Sequence, residues 1–178
     1  MLLILVMLLS TSASADNTKL LQVLASDNHF ALMRHALAPG TGDPLNFELG
    51  DCSTQRNLDD TGRHQAKNIG GVLRASALSG LAVYSSQWCR CVETAELLNL
   101  GPVTELPRIN SFYSTRSRAA EQTDATRDWL RTATLPVILV THQVNITALT
   151  GIFPSSGEIV VVKREENGEF SVVGSIDL

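Results

Sequence analysis

The chain has 178 residues, 14 Lys and Arg against 18 Asp and Glu, and a formal net charge of −4. That balance excludes a nucleic-acid partner held by bulk charge, so any anion must be met by a local cluster of cations. The length suits one domain with a substantial core.

Residues 1–15, MLLILVMLLSTSASA, carry no charged side chain. An apolar run over 1–9 passes into small residues ending in Ala13-Ser14-Ala15, the pattern of a short signal-peptide core and an A-x-A cleavage site. A membrane span needs about 20 apolar residues, and this run is far shorter. The expectation is a cleaved leader over 1–15 and a single domain over 16–178. The mature protein would be periplasmic or secreted, with no stable membrane span. An oxidising compartment favours a disulfide. Cys89 and Cys91 are too close in sequence to pair easily, so Cys52 is expected to join one of them, leaving one thiol over.

Hydrophobic periodicity then marks out the elements. HFALMRH (29–35) reads as a buried strand, followed by a polar loop to about Asn57. Residues 58–80 read as a helix, with Asp59 or Asp60 as cap and Ala66, Ile69 and Leu73 on one face. LAVYSS (81–86) is a short strand. Residues 89–101 form a helix closing on glycine. PVTELPRI (102–109) is a weaker strand, demoted at its end by Pro107. Residues 117–132 are helical, and LPVILVTHQ (135–143) is the strongest buried strand. Asn145 can cap a helix over 145–151. The tail reads as a hairpin turning at Asn167-Gly168.

Strands alternating with helices imply an α/β fold, three layers α/β/α with a mostly parallel central sheet and a C-terminal hairpin. In such sheets ligands bind beyond the carboxyl ends of the strands. The first strand ends at Arg34-His35 and the late strand at Thr141-His142. Arg90 follows shortly after Ser85-Ser86. Two arginines and two histidines around one pocket suit a phosphoryl group: guanidinium forks match phosphate oxygens, and a neutral imidazole is a competent nucleophile. His35 would attack phosphorus. Arg34, Arg90 and a protonated His142 would hold the oxygens, with backbone N–H groups near Trp88 and Cys89 in support. The arrangement calls for no metal and no cofactor. His29 and His64 read as surface residues, and Trp88 and Trp129 as core or pocket wall. The PGTGDP loop lacks the features of a P-loop and reads as a turn bordering the pocket.

LMRHA, QRNLDDTGRHQA, YSSQWCRCVETAELL and VTHQVNI, in that order and spacing, resemble the histidine phosphatase superfamily, with its phosphoglycerate-mutase-like fold. The resemblance runs over about residues 29–150. It implies that His35 is the phosphorylated nucleophile and that Arg34, Arg90 and His142 bind the phosphoryl group. It implies helix packing and positioning for Glu93, Thr94 and Ala95.

Two departures from the family pattern stand out. Ala36 replaces a glycine after the nucleophile, which is tolerable at negative φ. The family's leaving-group acid is absent from both familiar places, where Asn110-Ser111 and Gln143 stand. Glu105, Glu121, Asp124 and Asp51 are candidate replacements that no spacing separates. A missing acid would favour substrates with good leaving groups. Arg56, Arg116 and Arg118 are candidate substrate-binding residues at the entrance. The functional expectation is an exported phosphatase acting on a phosphorylated small molecule or envelope component through a phosphohistidine. The competing reading is a non-catalytic module that binds phosphorylated ligands.

Overall fold

The computed structural model describes residues 11–78 and 80–178, with the side chains of 11–16 left aside. The expected leader falls mostly on residues 1–10, outside the described residues. A helix not anticipated from the sequence, α1 (Thr11–Leu24), runs through the expected cleavage position and buries Leu21 and Leu24 in the core.

The elements continue as β1 (His29–Arg34), α2 (Asp60–Ala75), β2 (Ala82–Ser85), α3 (Cys89–Leu98), β3 (Val103–Glu105), α4 (Ala119–Thr132), β4 (Val137–Thr141), α5 (Gln143–Thr150), β5 (Ile159–Arg164) and β6 (Phe170–Ile176). The sheet order is β3-β2-β4-β1-β5-β6. The first four strands pair in parallel, and the β5-β6 hairpin adds antiparallel beside β1. This is the mixed, mostly parallel α/β architecture expected.

Period-two alternation sorts the core into two layers. Ala31, Met33, Ile138 and Val140 face α1, α2 and α3, through residues such as Leu24, Ile69 and Leu98. Phe30, Leu32, Val137 and Leu139 face the other way, onto Leu130 of α4 and Ile146 of α5. β1 and β4 are therefore apolar on both faces, which explains their nearly unbroken hydrophobic runs.

Asp59 caps α2, its side chain accepting from the Gly62 N–H at 2.7 Å. Gly62 is required for close approach: a Cβ there would lie 2.0 Å from the Leu37 carbonyl oxygen. The start of α2 is thus pressed against the chain leaving β1.

Several expectations need correction. α3 ends at Asn99, which takes the left-handed conformation (φ 51°), rather than at a glycine. α5 begins two residues early with His142 as its N-cap. Asn145 is buried inside that helix, donating to the carbonyls of Ile109 and Asn110. His29 is buried, because its position opposite Lys163 of β5 covers it, whereas His64 is exposed. Cys52 pairs with Cys89, with Cα atoms 5.7 Å apart, and Cys91 is the buried free thiol. No described helix is long and apolar enough to cross a membrane.

Candidate active site

The carboxyl ends of β1 and β4, with Arg90 from the start of α3, open into one pocket of about 670 Å³. Three of its residues are almost sealed from solvent: His35, Arg90 and His142.

His35 leaves β1 with its backbone N–H on the Thr141 carbonyl of β4, which ties the two strand ends together. Its Nδ1 lies 2.7 Å from the Ala36 carbonyl oxygen, which can only accept, so Nδ1 carries the proton. Nε2 keeps its lone pair and accepts from Arg90 Nε at 3.2 Å. Burial and then the neighbouring Arg90 pull the imidazole down to about 3, although the Ala36 carbonyl opposes them. It is a neutral imidazole with its nucleophilic nitrogen aimed at a guanidinium. Ala36 fits because positive φ among the described non-glycine residues occurs at Ala77 and Asn99. Its N–H donates to Thr94 Oγ1, which in turn donates to the Arg90 carbonyl. Thr94 therefore joins the strand end to the helix carrying Arg90.

His142 packs edge-on to His35, with ring centroids 5.6 Å apart. Its Nδ1 lies 3.4 Å from Arg90 Nη2, and its Nε2 lies 2.8 Å from Ser86 Oγ, which donates to Asn110 Oδ1. The chain of donors is satisfied when Nε2 carries the proton. In the ligand-free site, burial, with Arg90 next, holds His142 well below the ordinary histidine value, which favours the neutral imidazole there.

Arg34 lines the pocket and donates from Nη1 to the Pro154 carbonyl at 2.9 Å. Its buried Nε has no hydrogen-bond partner among the described residues. Arg56 also lines the pocket and braces the loop after β1, donating from Nε to the Gly42 carbonyl and from Nη1 to that of Ala38. Arg116 lies on the rim, 5.1 Å over the Tyr113 ring. Arg118, two residues on, is exposed and does not line the pocket. The backbone N–H groups of Trp88 and Cys89, expected to face an anion, are instead taken by Ser86 Oγ and Gln55 Oε1.

None of the four carboxylates weighed from the sequence lines the pocket. Asp51 caps a short 3-10 turn, Glu105 meets Gln87, Asp124 pairs with Arg127, and Glu121 is exposed at the start of α4. Asp43, in the loop after β1, does line it. Its Oδ1 accepts from Arg90 Nη1 at 2.5 Å and its Oδ2 from Arg90 Nη2 at 3.3 Å and Trp88 Nε1 at 3.0 Å. Burial favours the neutral carboxyl. The bonds and charge of Arg90, with Trp88 and Arg56, outweigh it and hold the group below the usual carboxylate range. Sequence reasoning missed Asp43, and its only signal was an acid inside a Gly- and Pro-rich loop. Among the described residues, no three His, Cys, Asp or Glu side chains converge to hold a metal ion.

The family model described as "Histidine phosphatase superfamily (branch 1)" matches residues 30–110, the stretch carrying Arg34, His35 and Arg90. Over that stretch the chain is similar to the histidine phosphatase superfamily. Its fold is shared with solved structures of low identity. The protein histidine phosphatase SixA complexed with tungstate is 16% identical, with a TM-score of 0.55 over 84% of this chain and 96% of that one. A phosphoglycerate mutase from Thermus thermophilus is 17% identical, with a TM-score of 0.58 over 84% of this chain and 99% of that one. No curated protein matches the chain.

Proposed function

We propose that this chain is a member of the histidine phosphatase superfamily and an exported phosphatase. It hydrolyses a phosphorylated small molecule or envelope component through a phosphohistidine at His35. The observation that carries this reading is the tautomer. Nδ1–H is fixed on the Ala36 carbonyl, so Nε2 is unprotonated and its lone pair faces the guanidinium that would clamp the phosphoryl group. Attack by Nε2 on phosphorus transfers the phosphoryl group and releases the leaving group. Water then attacks the phosphohistidine, releasing phosphate. Arg34 and Arg90 hold the equatorial oxygens, and a bound dianion draws a proton onto His142.

The pocket is larger than a phosphate needs, and beyond the cations it is lined by Phe112, Tyr113, Val144, Ala148 and Phe153. That apolar wall supports an organic leaving group. Its access to water favours hydrolysis over the mutase reaction, which needs a shielded intermediate. The leader-like residues 1–15 and the Cys52–Cys89 disulfide support export.

The test is transfer of label from a labelled phosphodonor. Acid-labile, alkali-stable label should appear on the protein and vanish in His35→Ala, with turnover falling on the order of 10⁴-fold or more. Phosphate binding without label or turnover on any donor would instead identify a binding module. Mass spectrometry of the protein from its host should find the amino terminus at Asp16 in the envelope or medium. An intact chain in the cytosol would refute export.

A further inference from the structure

We propose that Asp43 is the proton donor to the leaving group, supplied from the loop after β1 rather than from the loop after β3 or the residue after His142. The inference rests on the phosphatase reading above and assigns an acid where that reading leaves none.

Arg90 places the carboxyl relative to the nucleophile. One end of its guanidinium, Nε, donates to His35 Nε2, and the other end, Nη1 and Nη2, is forked onto Asp43. Nucleophile and carboxyl therefore stand at opposite ends of one planar group. A phosphoryl group lying along that plane would have His35 on one side and its leaving oxygen toward Asp43, as in-line displacement requires.

The alternative positions are already committed. Asn110 accepts from the Gln87 N–H and Ser86 Oγ and donates to Gln87 Oε1, while Gln143 donates to Thr147 Oγ1. Among the described residues, no other carboxylate lines the pocket.

The charged and titratable groups facing Asp43 are Arg90 of α3, which bonds it, the buried Cys91 thiol of α3, and Arg56 before α2. Arg34, His35, His142, Tyr113 and Arg116 share the cavity. When phosphoryl oxygens take over the Nη groups of Arg90, Asp43 exchanges a cationic partner for an anionic neighbour. Both changes favour its protonated form, and burial acts in the same direction.

The step balances. The Nε2–P bond forms as the P–O bond to the leaving group breaks, and the Asp43 proton passes to the departing oxygen. The Asp43 carboxylate then takes a proton from the water that attacks the phosphohistidine. When phosphate leaves, Arg90 re-forms its fork on Asp43, which gives back to solvent the proton it took up as the substrate bound, and His35 is again the free imidazole.

The experiment compares wild type and Asp43→Asn on p-nitrophenyl phosphate, whose leaving group needs no proton, and on benzyl phosphate, of similar shape with an alkoxide leaving group. The variant should lose about 10²–10⁴-fold in kcat on benzyl phosphate and only a few-fold on p-nitrophenyl phosphate. The alkaline limb of the wild-type pH profile on benzyl phosphate should disappear with it. Asp43→Asn should still take label at His35 from p-nitrophenyl phosphate, which shows that the variant is folded. Equal losses on the two esters would overturn the proposal and leave Asp43 a positioning residue for Arg90. Unchanged or faster turnover on both would also overturn it, as would a variant that takes no label. A wild-type chain that takes no label from either ester would overturn the phosphatase reading itself.

Discussion

The floor and the rim of the pocket obey opposite rules. On the floor, His35, Arg90 and His142 are at most 4% exposed, and nearly every polar atom has a partner. On the rim, Tyr113 is 41% exposed and Phe153 73%. The floor buries guanidinium charge with Asp43 as its anionic partner, an arrangement that costs stability until a ligand neutralises it. The rim holds apolar surface in water. Binding energy from the leaving group is thus available at the rim, while the chemistry is confined to the floor.

Arg90→Lys breaks the floor most severely. It keeps the charge but removes the fork that spans His35 and Asp43, so kcat should fall about 10²–10³-fold. A loss under about tenfold would mean that charge alone suffices and that the fork is dispensable.

Acid titration sharpens the comparison at intermediate size. His35 falls from 6.5 to about 3 on folding, and His142 also moves well below 6.5. The unfolded chain then binds more protons than the folded one between those values. The stability from this source is complete above about pH 6.5 and is lost as pH falls toward 3. Asp43, held below its ordinary value, acts in the same direction at lower pH. Thermal melts at about pH 7.5 and about pH 4.5 should show a smaller drop in Tm for His35→Gln than for wild type. Equal drops would place the acid sensitivity outside the floor.

Phe153→Ala, on the rim, should have the smallest effect. KM for benzyl phosphate should rise by about tenfold or less while kcat and inhibition by phosphate hold steady. A fall in kcat instead would show that rim and floor are not separable.

The floor was largely legible in the chain. His35 and His142 each follow an apolar run that can only be a strand buried on both faces, and such strands deliver their last residues to one edge of a parallel sheet. Arg90 lies in the first turn of the helix after β2, so the same rule brings it there. The rim was not legible. Arg116 and Arg118 sit two apart on a 3-10 turn, yet one lines the pocket and the other faces solvent. Residue type and spacing do not encode which way so short a turn faces.

Hydrophobic alternation, capping residues and cysteine spacing, all local properties, determined the strands, most helix boundaries and the narrowing of the disulfide to two pairings. The tertiary structure decided what depends on distance between remote segments. It paired Cys52 with Cys89, neutralised both imidazoles by burial beside Arg90, and folded the loop after β1 back so that Asp43 meets Arg90. Desolvation and Coulomb interactions depend on three-dimensional separation. The protonation of the site and the identity of its acid are therefore properties of the packed molecule.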